Sequence, residues 1–185
     1  KRILIPTDFS ENAEFALKAA AQIAKKNNSE IVLLHMLELA SQAGDALGSG
    51  HVLPELMLYK NKAIERLEDL MDEDYLDGIE VKEIVQFEKA FDGIIKLSKQ
   101  NDVNLIVMGS HGATGFKVLV VGSNTEKVVR YSDIPVLVIK KELESLNFKK
   151  FVFASDFTEE AVKPFEKALE FASIFDSEIH LVMIN

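Results

Sequence analysis

Cysteine is missing from this chain of 185 residues. Its absence excludes disulfides and thiolate metal sites. Long apolar runs are missing as well. The sequence is 48% hydrophobic, yet no stretch reaches the roughly 18 consecutive apolar residues that a membrane-spanning helix needs. Ile3-Leu4-Ile5 is too short for the apolar centre of a signal peptide, so a cytoplasmic protein with no membrane partner is expected. Positive charge is scarce: 21 Lys and Arg stand against 30 Asp and Glu, a net charge of −9. Wrapping a nucleic-acid backbone takes clustered Lys and Arg, so nucleic acid is not an expected partner. A small phosphorylated ligand stays open, because backbone N–H groups hold phosphate whatever the net charge.

Several catalytic signatures are missing too. There is no Gly-x4-Gly-Lys-Ser/Thr loop, no Gly-x-Gly-x-x-Gly after the first strand, and no Gly-x-Ser-x-Gly elbow. The four histidines, His35, His51, His111 and His180, have no metal-ligand spacing such as i, i+4. No residue stands out as a general base or a charged transition-state clamp.

What is present is an alternation of short buried strands and amphipathic helices. Arg2 to Pro6 reads as a strand covered on both faces, because Ile3, Leu4 and Ile5 are consecutive. Ser10 suits an N-cap, and Ala13, Ala16, Leu17, Ala20, Ile23 and Ala24 recur at helical spacing up to Lys26. Further strands are expected at Ile31 to Met36, Val81 to Phe87, Val103 to Met108 and Val136 to Lys140. Helices are expected from Pro54 to about Asp74, Phe91 to Gln100 and Ser123 to Ser132. Leu37 to Val52, with Gly44, Gly48 and Gly50, reads as a mobile loop. Strands that alternate with helices make an α/β domain with an open parallel sheet and helices on both faces.

One stretch stands apart. The apolar run Val103 to Met108 opens into Gly109-x2-Gly112-x9-Gly122-Ser123, after which a helix begins. Glycines let the backbone approach an anion, and the helix start supplies N–H groups and a favourable dipole. Turn glycines after a strand are common, and Ser123 to Glu126 also fits a capping box. The two roles are compatible, since capping uses the hydroxyl and phosphate the backbone N–H.

This glycine spacing, with Pro6-Thr7-Asp8 after the first strand and Ile134-Pro135-Val136-Leu137-Val138-Ile139 near the end, resembles the ATP-binding branch of the universal stress protein family. The resemblance covers Lys1 to about Lys140. It implies strand order 3-2-1-4-5, which places strands 1 and 4 side by side at the point where ligands bind in open α/β sheets. It implies ATP as ligand, with Mg or Mn bound through the phosphates, and contacts from Pro6, Thr7, Asp8, Met36, Met108, Gly109, Ser110, His111, Gly112, Gly122, Ser123 and Asn124. Met36 is expected to act through its backbone, at the adenine edge. Asp8 has a competing reading as a turn residue that caps local N–H groups. The turn Phe87-Glu88-Lys89-Ala90-Phe91 lacks the Gly and Pro common there in the family, so no contact is assigned to it. The resemblance further implies a homodimer through the edge strand Val136 to Lys140. The expected function is a nucleotide-dependent stress-response or regulatory module. A slow ATPase or phosphotransferase, or a nucleotide-free interaction protein, are the alternatives.

An internal repeat follows. Lys150 to Glu159 matches Arg2 to Glu11 at an offset of 148 residues, and Ser177-Glu178-Ile179 matches Ser29-Glu30-Ile31. The expected organisation is one nucleotide-binding domain over residues 1–141, a linker at 142–148, and a partial strand–helix–strand repeat at 149–185. Asp156 takes the place of Asp8 in the repeat but has no glycine loop, so there the turn reading is preferred. The natural chain is expected to begin before Lys1 and to continue past Asn185 into a whole tandem domain.

Overall fold

A computed structural model describes residues 1–38, 54–110 and 122–184. The chain divides into two compact units, Lys1–Leu143 and Glu144–Asn185. The first holds strands β1 (Arg2–Pro6), β2 (Glu30–Met36), β3 (Val81–Gln86), β4 (Leu105–Gly109) and β5 (Val136–Ile139). Helices α1 (Glu11–Asn27), α2 (Pro54–Met71), α3 (Ala90–Gln100) and α4 (Ser123–Tyr131) lie between them. The strands form one sheet in the order β3-β2-β1-β4-β5, with each described pair parallel.

Side-chain alternation along each strand divides the core between two faces. Leu4, Val32, Leu34, Ile106 and Met108 meet Ile94 and Leu97 of α3 and Val128 of α4. Ile3, Ile5, Ile31, Leu33 and Val107 are just as buried and belong to the opposite face. There α1 packs on β1 and β4. It can lie close because it buries mostly alanine: Ala13, Ala16, Ala19, Ala20, Ala21 and Ala24. Ser10 caps it, its Oγ accepting from Ala13 N at 3.3 Å. Asn28 ends it in the left-handed region, with φ 54°.

Two boundaries differ from the sequence reading for identifiable reasons. β4 begins at Leu105, not Val103, because the Val103 N–H is taken by the Ser98 carbonyl at 3.1 Å, closing the end of α3. The expected capping box at Ser123 is corrected as well. Gly122 is the N-cap, Ser123 is already the first helical residue, and no side chain caps the helix. Glu126 pairs instead with Arg130, one turn on. The glycine-bearing loop from residue 39 on lies outside the described residues.

The second unit contains β6 (Lys150–Ser155), α5 (Val162–Ile174) and β7 (Glu178–Met183), with β6 and β7 parallel. A short 3-10 turn, Glu159–Ala161, precedes α5 and breaks the helix at its start. Pro164 explains the break: it has no N–H to give to the Glu160 carbonyl, and its ring clashes with that carbonyl in an α-helix. The inner face is aromatic. Phe153 meets Phe165 at 5.1 Å and Phe148 meets Phe175 at 5.0 Å between ring centroids. On the other face Val152 stays 63% exposed.

The repeat is visible in the turn geometry. In the first unit Thr7 Oγ1 accepts from Phe9 N at 3.0 Å, Asp8 Oδ1 accepts from Ser10 N at 3.1 Å, and Phe9 has φ 61°. In the second, Ser155 Oγ accepts from Phe157 N at 2.9 Å, Asp156 Oδ1 from Thr158 N at 3.1 Å, and Phe157 has φ 58°.

The Thr158 backbone bond, helped by the Thr158 hydroxyl, holds the exposed Asp156 carboxyl below its ordinary value. A lowered folded-state pKa means the interaction stabilises above the ordinary Asp range and is lost as pH falls through the lowered value. Carboxyl NMR titration should find Asp156 below ordinary aspartates, and Thr158→Val should move it partway back. An unchanged midpoint in that variant would remove the hydroxyl from the account.

Candidate functional site

β1 and β4 are neighbours, but the chain leaves them in opposite directions across the sheet. β1 pairs outward with β2 and then β3, while β4 pairs outward with β5. A crevice therefore opens beyond their carboxyl ends. It is a cavity of about 360 Å³.

Its floor is the end of β1. Pro6, Thr7 and Asp8 line it. Thr7 is held on both sides: its N–H goes to the Leu34 carbonyl at 2.8 Å, and its own carbonyl accepts from His35 Nδ1 at 2.8 Å. A carbonyl only accepts, so His35 carries a proton on Nδ1. The Phe9 ring lies 4.5 Å from the His35 ring, and the Arg66 guanidinium of α2 lies 3.8 Å over Phe9. This stack braces the turn that carries Asp8.

The β2 side is apolar. Leu34 and Met36 come from β2, Ala90 and Ile94 from α3, and Met108 from β4. The start of α3 is fixed by the Glu38 carboxylate, which accepts from Ala90 N at 2.8 Å. A negative charge there also complements the helix dipole.

The β4 side is backbone-rich. Gly109 ends the strand, and Gly122, Ser123, Asn124 and Thr125 open α4. The N–H groups of a helix's first turn have no partner within the helix. Two bonds seat this helix start against the strand. Thr125 Oγ1 donates to the Gly109 carbonyl at 3.0 Å, and Gly122 N donates to the Ser110 carbonyl at 2.7 Å.

Of the residues singled out in the sequence, Pro6, Thr7, Asp8, Met36, Met108, Gly109, Gly122, Ser123 and Asn124 surround this one cavity. Ser110 does not line it: it is buried, and its N–H is spent on the Ile139 carbonyl at 2.9 Å. His111 and Gly112 lie outside the described residues. Sequence reasoning did not assign Leu34, His35, Ala13, Ala90, Ile94 or Thr125 to the wall. Leu34 and His35 were within reach of it, since they precede Met36 on the same strand end. Ala90 and Ile94 depend on where α3 sits, which no local motif records.

Asp8 is at once a turn residue, accepting from Ser10 N, and part of the cavity wall. Among the described residues no Lys or Arg lines the cavity. Among the described residues, too, no group of three His, Asp or Glu is placed to hold a metal ion. Chemically the site offers an apolar slot on one side, N–H groups on the other, and a carboxylate between them. Met36 at the end of β2 and Gly109 at the end of β4 stand on either side of β1, about two strand spacings, roughly 10 Å, apart.

Comparison with known proteins gives the same architecture. The Universal stress protein family profile matches residues 1–140. The universal stress protein MJ0577 of Methanocaldococcus jannaschii is 35% identical over 158 residues, covering 77% of this chain and 96% of that protein. A crystal structure of a universal stress protein from Archaeoglobus fulgidus DSM 4304 superimposes with a TM-score of 0.74 at 27% identity. It matches 100% of this chain and 67% of its own. Another Archaeoglobus fulgidus universal stress protein, solved in complex with dAMP, shares the fold with a TM-score of 0.55 at 22% identity over 75% of this chain and 97% of that one.

Gly109 is a tight point of the wall. A Cβ built on it would stand 2.6 Å from the Asn12 carbonyl oxygen in α1, and backbone cannot swing aside as a side chain can. Gly109→Ala should lower stability by about 1–3 kcal/mol, read as an earlier urea midpoint. A midpoint equal to wild type would show that α1 and β4 are not held this closely.

Proposed function

Because the chain belongs to the universal stress protein family, we propose that the crevice beyond β1, β2 and β4 binds ATP and that the protein is a nucleotide-dependent stress-response module of the cytoplasm. The observation that carries the reading is the pairing of Gly109 with the first turn of α4 on one side of the cavity and an apolar slot on the other. The separation suits an adenosine laid across β1, with its base toward Met36 and its phosphates toward Ser123 and Asn124. Helix N-termini favour phosphate through their N–H groups and dipole. Pro6 and Thr7 give the floor, and Asp8 is placed to accept from ribose hydroxyls or to meet a phosphate-bound metal. His111 and Gly112 belong to the proposed phosphate loop on the glycine spacing alone. Mg²⁺ or Mn²⁺ is proposed to arrive with the phosphates, since the described residues offer no ligand cluster of their own.

Isothermal titration of the full chain with ATP tests this reading. One nucleotide per chain is expected, in the first unit. Asp8→Ala should weaken binding by about tenfold, the loss of a hydrogen bond to a charged group. Asp156→Ala, in the matching turn, should leave affinity unchanged. No heat of binding for ATP, or equal effects from the two variants, would move the site elsewhere.

The proposed signal output is association. Among the described residues β5, Val136 to Ile139, is an edge of the sheet, and an edge strand offers its outer backbone groups for pairing with another chain. A homodimer through this edge is the expected assembly. Light scattering at high concentration should give twice the chain mass, and Val138→Pro, which removes a ladder donor, should shift the mass toward the monomer. A monomer in the unmodified protein would reject the edge as an interface.

A further inference from the structure

Gly93 sits inside α3, buried, at a position where no glycine is needed for the backbone. Its φ is not in the left-handed region, and a glycine in a helix interior loses more conformational freedom on folding than an alanine would. Space gives the reason for it. An ideal Cβ at Gly93 would lie 2.8 Å from Met36 Sδ and nearer still to Met36 Cε. The Met36 thioether therefore occupies the volume that a side chain at 93 would fill.

Met36 also forms part of the cavity wall, beside Ile94 of the same helix. We propose that Gly93 is a positioning residue for the ligand site: it lets Met36 fold back onto α3 and so sets the width of the slot for the purine ring. The proposal rests on the reading of the cavity as an adenine-nucleotide site. Neighbours of Met36 leave it little choice of where else to go. Leu34, Ile94 and Met108 are packed in the core with at most 6% exposure, so a displaced thioether moves into the cavity. Methionine, unbranched and with three rotatable bonds, makes that move easily. Residue 93 thus acts on the ligand through Met36, without touching it.

The decisive variant is Gly93→Ala in the full chain. Because alanine is the better helix former, its melting temperature should not fall, which separates a local change in the slot from loss of the fold. Methionine-methyl NMR without ligand should show the Met36 methyl losing its contact with residue 93 and gaining one with Met108 or Ala90. An unmoved Met36 methyl would overturn the inference, whatever the ligand. ATP titration should show affinity weakened by about tenfold or more, the scale of one misplaced methylene in an apolar pocket. Adding Met36→Ala to Gly93→Ala should bring affinity back to that of Met36→Ala alone. Wild-type affinity in Gly93→Ala, or no recovery in the double variant, would also overturn it. A wild-type chain that binds no ATP while the methyl still moves would instead reject the nucleotide reading and leave the packing of Met36 on Gly93 standing.

Discussion

β1 is bonded along both edges and covered on both faces, and the rest of the first unit is arranged to meet that demand. Ile3, Leu4 and Ile5 are each 2% exposed or less. A strand so enclosed needs a parallel neighbour on each side, a helix above and a helix below. β2 and β4 supply the edges, α1 one face, and α3 with α4 the other. Only beyond its carboxyl end does the enclosure stop. Pro6, Thr7 and Asp8 emerge there, and the cavity is the space the two diverging halves of the sheet leave uncovered. The site is a by-product of the same topology that buries the core.

Much of this was legible in the residues. Three consecutive branched apolar residues in β1 mark a strand covered twice, and the alanine period of α1 marks a helix that can lie close. The order of the strands was not readable from periodicity; it came from the likeness of Gly109-x2-Gly112-x9-Gly122-Ser123 to a known family, and the sheet has that order. Local patterns failed where distant parts meet. Nothing near Glu38 in the sequence says that it caps α3, and nothing near Gly93 says that Met36 will need its space. The capping box at Ser123 failed for a subtler reason. Its residue types were right, but the helix begins one residue earlier than that pattern requires, with Gly122 as cap.

The two units share a turn and differ in enclosure. Thr7-Asp8-Phe9 and Ser155-Asp156-Phe157 fold alike, to the left-handed phenylalanine in each. A phenylalanine in that region is strained, so the side-chain bonds from Thr7 and Ser155 earn their place by holding it there. Around β6, however, the only strand neighbour among the described residues is β7, and Val152 on its outer face is open to solvent. The same local sequence thus builds the same corner, while burial and a ligand-sized cavity depend on what the remainder of a sheet contributes.

Ser110 and Gly122 are joined by a single backbone hydrogen bond of 2.7 Å, and Thr125 ties the helix behind Gly122 to the strand before Ser110. These bonds form a stem. The eleven positions between its two ends therefore leave and re-enter the scaffold at one fixed point, and the cost of bringing those ends together grows only slowly with the number of residues between them. The end of β4 and the start of α4 are thereby held together by the scaffold itself, whatever the number of residues that join them.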